Sequence, residues 1–210
     1  MDTPYYELAG VRYPRITRIL SVMREPELDA WRKTVGAEAA EDISGAAIRT
    51  GKTVHSLIEE TLKTGKLAKT TTTSEDVRMA WGAWQKWYAL QPPMPSNVAV
   101  EYRAITTEYG YGCTADLVEP LRITDWKITG AIRPKHWIQL HAEVPAVFQA
   151  PELWPQVCVR IVRLDKRLGE FQEKEVPFSR AIWCGFLHAR ALYMAFYGQE
   201  LNEEIDNVSK

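Results

Sequence analysis

Apolar residues follow two different periods along this chain, and the change falls near the proline cluster Pro92, Pro93 and Pro95. Before it, they recur at three- and four-residue spacing, as on helices with one buried face. Thr17 precedes a short helix over 18–23, a second helix is predicted over about 27–40, and a third over about 46–62 is closed by Gly65. Ser74 can cap a helix over 75–90, which the prolines end. Trp81, Trp84 and Tyr88 recur along that helix and read as a buried stripe in preference to a platform for stacked bases.

Past the prolines the period drops to two, through Val98, Val100 and Tyr102, then 111–118, then 121–127. Breaks at 108–110 and at Glu119-Pro120 make these segments an antiparallel meander. A helix over 132–144 follows, then a hairpin pairing 156–164 with 170–176, then a helix from Ser179 to near Gly198. The polar tail 203–210 is expected to fray. The chain is therefore helical first and mixed afterwards.

A length of 210 residues, 46% hydrophobic and 25% charged, fits one globular domain over 1–210 and excludes a disordered or fibrous chain. The net charge of −1 excludes a basic coat over the whole surface, so any contact with nucleic acid has to come from a local patch. Cys113, Cys158 and Cys184 are too few for a disulfide framework, a four-thiolate zinc site or an iron–sulfur cluster, and point to a reducing compartment. Without a leading apolar segment or a run of roughly 18 apolar residues, the expectation is a soluble cytoplasmic protein without a membrane partner.

Asp125-Trp126-Lys127 sets a carboxylate and an ammonium on one face of a strand. A two-residue turn at Glu119-Pro120 would pair Val118 with Leu121 and place Asp116 opposite Ile123, on the face that carries Asp125 and Lys127. A turn centred near Glu108-Tyr109 would bring Glu101 opposite Asp116 as a possible additional acid. Carboxylates about 7–8 Å apart at Cβ can converge on Mg²⁺ or Mn²⁺. On the residues alone a second reading stands beside this one, in which the acids cap strand ends or face water and Lys127 pairs with one of them. His55 sits on the third helix with Glu59 one turn further on, where a carboxylate can orient an imidazole. Arg49, Lys52, Arg133, Lys135 and His136 can grip phosphates or serve as ordinary surface charges, whereas His141 and His188 lack ligand spacing and read as structural.

Taken in order, Ile16-Thr17-Arg18-Ile19-Leu20, Gly51-x-x-x-His55, Thr114-Ala115-Asp116, Asp125-Trp126-Lys127 and Gln139 resemble the PD-(D/E)XK nuclease superfamily. The RecB-like, phage-type exonucleases are the branch they resemble most. The resemblance covers about 14–200. It implies an α/β fold with a mixed central sheet flanked by helices, a nuclease core over about 97–200, and a helical region over about 14–92 that supplies His55.

The resemblance also implies roles. His55, Asp116, Asp125 and the backbone carbonyl of Trp126 would bind Mg²⁺ or Mn²⁺, Lys127 would position the attacking water, and Gln139 would lie beside the active site. The substrate would be DNA, cut in recombination, repair or phage DNA processing, with a recombination or single-strand-binding protein as a partner. Two positions depart from the pattern: Cys113 stands where a glycine is usual, with Gly112 one position early, and Glu143 stands where a tyrosine is usual. An alternative of another class is a catalytically silent subunit of the same fold that holds DNA or a protein; a third is a structural or regulatory protein without a nucleic-acid role.

Overall fold

The computed structural model describes residues 3–208. It opens on a hairpin that the sequence reading missed, β1 (Tyr5–Leu8) against β2 (Val11–Pro14). Ala9 and Gly10, with φ of 51° and 75°, form its two-residue turn; paired left-handed residues match the twist of the flanking strands. Next come α1 (Ile16–Ile19), running into a 3₁₀ turn, and α2 (Pro26–Val35). The second and third helices divide differently from expectation. The break falls at Gly36, and α3 (Ala37–Thr64) runs unbroken over 41–45, so His55 rides on a helix of 28 residues. Gly65 closes it in the left-handed conformation, and the Ser74 hydroxyl caps α4 (Glu75–Ala89) by accepting the Val77 N–H.

A five-stranded sheet follows in the order β3 (Ala99–Thr106), β4 (Tyr111–Glu119), β5 (Arg122–Lys127), β6 (Cys158–Asp165), β7 (Glu170–Pro177). The first three strands form the expected meander. Between β5 and β6 the chain crosses over through α5 (Pro134–Val147), and these two strands are parallel. β7 returns antiparallel and α6 (Arg180–Val208) ends the fold. Gly198 does not stop α6, because a glycine within a helix costs only about 1 kcal/mol. The helix continues through 203–208, where fraying was expected; residues 209 and 210 of that tail lie outside the described residues.

Helices cover both faces of the mixed sheet. On one, Leu140 of α5 and Trp183 and Phe186 of α6 bury against Ile123, Val159 and Ile161. On the other, Val54 and Ile58 of α3 and the tryptophans of α4 bury against Leu117, Trp126 and Val162. Trp84 is fully buried between Trp81 and Tyr88, with ring centroids 5.0 and 4.6 Å away, so the aromatic stripe is core.

Pairing of β4 with β5 corrects the expected register. Val118 lies opposite Ile123 and Glu119 opposite Arg122, which makes Pro120-Leu121 the turn. Proline favours the first central position of such a turn. The correction is two residues, so the expected face survives the slip.

Candidate active site

The site forms where the sheet is irregular. β4 and β5 pair from Leu117–Thr124 to Glu119–Arg122 and no further. Between β3 and β4 the pairing runs on both sides of Glu101 and Asp116 but skips these two residues. Cys113 and Ala115 face the α5–α6 core, yet Leu117 faces the α3–α4 core, and Ala104 and Val100 divide the same way on β3. Alternation thus slips by one on both strands at once, which keeps the register and re-aims the two acids, as a bulge does. Glu101 carries the distortion, with φ of 52°. Such a conformation costs of order 1–3 kcal/mol outside glycine and gathers at functional sites. Where the β4–β5 ladder has stopped, Asp116 Oδ2 accepts the Trp126 N–H at 2.8 Å.

His55 reaches this gap from α3. Its Nδ1 lies 3.4 Å from Asp116 Oδ1 and 4.0 Å from Glu101 Oε1, and its Nε2 lies 3.1 Å from the Trp126 carbonyl oxygen. Both ring nitrogens therefore face acceptors, the arrangement of an imidazolium. Burial works against that charge, but Asp116 and then Asp125 outweigh it and push His55 up to about 9. Burial would raise Asp116 as well, and the imidazolium overcomes it, holding this carboxyl below its usual range. Glu101, further from the ring at 4.0 Å, is pushed up to about 7 by burial and by Asp116, which outweigh His55. Ligand atoms of His55, Glu101 and Asp116 all lie within 4.8 Å of one another, in an open cleft also lined by Gly51 and Lys52. The expected orienting role of Glu59 is not seen, since its carboxylate receives Lys63 Nζ at 2.5 Å; Asp116 and Trp126 hold the ring instead.

Beside this cluster sits a second one. Lys127 Nζ donates to Asp125 Oδ1 at 2.9 Å and to Gln139 Oε1 at 3.1 Å. The Gln139 amide nitrogen donates to Glu143 Oε1 at 3.0 Å and, at 3.4 Å, to Asp125 Oδ1. Asp125 is only 3% exposed, and burial pushes it up to about 6 even against the pull of Lys127. Burial likewise opposes the Lys127 ammonium, but Asp125 and Asp116 hold it charged, above the usual lysine range. Asp125 Oδ2 is buried and has no partner among the described residues.

Comparison with protein-family models gives no match, and neither does comparison with curated proteins. By structure, the chain is similar to an alkaline exonuclease, LHK-Exo, from Laribacter hongkongensis, with a TM-score of 0.50 and 13% identity over 95% of this chain and 92% of that one. The chain has the PD-(D/E)XK nuclease fold. A protein designated SSO0001 aligns at 14% identity over 91% of this chain and 78% of its own, with a TM-score of 0.47. LHK-Exo in complex with dAMP aligns at 14% identity over 75% and 82%, with a TM-score of 0.43.

Within this nuclease fold the two departures from the sequence pattern gain physical reasons. A side chain on Gly112 would strike the Tyr6 ring, which packs over that backbone and shares a 2.7 Å hydrogen bond with Thr114. A glycine is thus needed at 112, the position that the N-terminal hairpin covers. Cys113, next along, is raised well above its usual range by burial and then by the charge of Glu143, so the two departing residues influence one another. Arg133 and Lys135, expected to grip phosphates, are both engaged by Glu25 at 3.1 Å. His136 is corrected: its Nδ1 accepts the Arg133 N–H, and burial with Lys127 pulls it down to about 4, so it is a neutral cap of α5. Arg49 and Lys52 are exposed on α3. Glu25 and the inward face of Glu143 escaped the sequence reading; the four-residue spacing of Glu143 from Gln139 was the available signal.

Proposed function

We propose that the protein is a divalent-cation-dependent DNA nuclease working as an exonuclease in the cytoplasm, on DNA undergoing recombination, repair or phage processing. One observation carries this reading. At the edge where β4 and β5 part, His55, Glu101 and Asp116 bring their ligand atoms within 4.8 Å, next to a buried Asp125 oxygen that has no partner among the described residues. Carboxylate and carbonyl oxygens with one imidazole suit Mg²⁺ or Mn²⁺, the imidazole favouring Mn²⁺. The second supporting point is the fold, which an alkaline exonuclease shares.

His55, Asp116, Asp125 and the Trp126 carbonyl would hold the cation, with Glu101 as a further acid. A divalent cation there supplies a lowered pKa for water and charge to offset the phosphate oxygens. Lys127 aligns the attacking water and stabilises charge on the phosphate from a position fixed by Asp125 and Gln139. Lys52, which lines the cleft, and Arg49, exposed on the same helix, would meet the backbone of the DNA, and Arg133 and Lys135 would exchange Glu25 for a phosphate.

End-labelled linear DNA and closed circular DNA, each with Mg²⁺, Mn²⁺ or EDTA, test the reading. Linear DNA should shorten from its ends in either metal, circles should survive, and EDTA should stop the reaction. Intact linear DNA in both metals overturns the proposal, and cut circles convert it to an endonuclease.

A further inference from the structure

Glu143 is 1% exposed, carries an acid into the core of a helix–sheet contact, and stands where the family pattern has a different residue. A buried acid has to be neutralised or offset. No cation touches Glu143 in the described structure. Its surroundings include Asp125, Asp116 and Cys113, and the Gln139 hydrogen bond and then Lys127 act in the opposite sense. Burial first, and Asp125 second, raise it well above the usual carboxylate range, in the direction of the neutral acid. What it offers its neighbour is a carbonyl-type acceptor, used at 3.0 Å by the Gln139 amide nitrogen.

That acceptor settles a question which the Gln139 amide cannot settle by itself. An amide can sit either way round, and the two orientations swap donor for acceptor. Seen one way, Gln139 Oε1 receives the Lys127 ammonium. Turned over, an NH₂ would face the NH₃⁺ and both would be donors. On the opposite side of the amide the alternatives are unequal: Asp125 Oδ1 lies 3.4 Å away and already receives Lys127, whereas Glu143 is closer. Resting on the nuclease reading above, we infer that Glu143 is a positioning residue, a buried acceptor that fixes the Gln139 amide so that its oxygen holds Lys127 beside the scissile phosphate. It touches neither substrate nor cation and acts through Gln139.

Two substitutions separate this role from mere packing. Glu143→Gln keeps a carbonyl acceptor and replaces the acid hydroxyl by an NH₂ of similar size, whereas Glu143→Leu keeps the volume and removes the acceptor. With Mn²⁺ and linear DNA, the Leu variant should lose roughly tenfold or more in kcat, the equivalent of about 1.4 kcal/mol, with KM for DNA and Mn²⁺ affinity by calorimetry unchanged. Glu143→Gln should stay within about threefold of wild type, under 1 kcal/mol of barrier. The second readout needs neither metal nor turnover. By NMR in EDTA, the Gln139 side-chain amide protons, assigned by their loss in Gln139→Ala, should exchange slowly in wild type and Glu143→Gln and rapidly in Glu143→Leu. If Glu143→Leu does not fold, Glu143→Met supplies the apolar arm. Equal kcat losses in the Leu and Gln variants, an unchanged kcat in the Leu variant, or a Gln139 amide that exchanges slowly without the acceptor each overturn the inference. A wild type that leaves DNA intact defeats the nuclease reading alone, and the amide exchange still decides whether Glu143 orders Gln139.

Discussion

A carboxylate as buried as Asp125 survives in a sheet only if its charge is offset, and the structure supplies the Lys127 ammonium and the His55 imidazolium for a neighbourhood that also holds Asp116. A divalent cation would take over the part that the imidazolium proton plays beside Asp116. Asp116→Asn keeps an oxygen able to accept the Trp126 N–H, so folding should persist while metal affinity and activity fall. Activity should drop at least roughly a hundredfold, given tenfold per 1.4 kcal/mol of barrier; calorimetry with Mn²⁺ and a cleavage assay on the same sample check both. Lys127→Met should instead retain metal binding and lose turnover, because the ammonium serves the water and the phosphate. The comparison belongs at about pH 8.5 or above: Asp125, about 6 with Lys127 present, rises further without it and has to be ionised to bind. Loss of Mn²⁺ binding under those conditions would make Lys127 a structural counter-charge. These residue types and their order were readable in the sequence because each reading needs only a strand period of two. The partner of His55 was not, since the competition between Glu59 and Asp116 is decided by Lys63 claiming Glu59 and by the slip in β4, neither of which a period reveals.

Elements were legible to the extent that their own residues specify them. Ser74, Gly65 and the prolines after α4 mark ends by local chemistry, and the structure keeps them. The turn after β4 was misplaced by one residue at its centre because the proline fits the first central position and carries Leu121 into the turn. The N-terminal hairpin escaped because its strands are four residues each, too short to show a period, and because what fixes it is tertiary: Tyr6, 5% exposed, lies on Gly112. This contact can be tested. In Gly112→Ala the new Cβ would meet the Tyr6 ring and sit 3.1 Å from the Ala104 carbonyl oxygen, so overpacking should cost about 1–3 kcal/mol. Thermal denaturation measures the loss. Tyr6→Ala should also destabilise, and the double variant should lose less than the two single losses added, because the clash needs both partners. Simple additivity would show that the hairpin does not rest on Gly112.

At the scale of the whole molecule, the site makes the metal-free protein a store of protons. His55 is raised to about 9, Glu101 to about 7 and Asp125 to about 6, and Glu143 is also raised well above its usual range. Each binds protons in the folded chain at a pH where the unfolded chain has released them, and stability falls with rising pH wherever the folded state holds more. Two histidines act in the opposite sense. Burial pulls His141 and His136 down to about 4, and His141 Nδ1 has to stay unprotonated to accept the Ser179 N–H at 3.0 Å. Their contributions are present above the unfolded histidine value of about 6.5 and lost as pH falls towards 4. Between about pH 7 and 9 they are neutral in both states and silent, which leaves His55 together with the raised acids Glu143 and, near pH 7, Glu101. The stabilisation from His55 is fully present below about 6.5 and lost as pH rises through about 9, with a slope of at most about 1.4 kcal/mol per pH unit for this one group. In EDTA, the urea midpoint should therefore fall from pH 7 to pH 9, and His55→Gln should flatten that fall. Saturating Mn²⁺ should abolish or reverse it, because a cation that takes the place of the proton binds better as the proton leaves. A midpoint in EDTA that is level from pH 7 to 9 would mean that the imidazole carries no extra proton in the folded protein, and that Asp116 is held by the Trp126 amide without an imidazolium beside it.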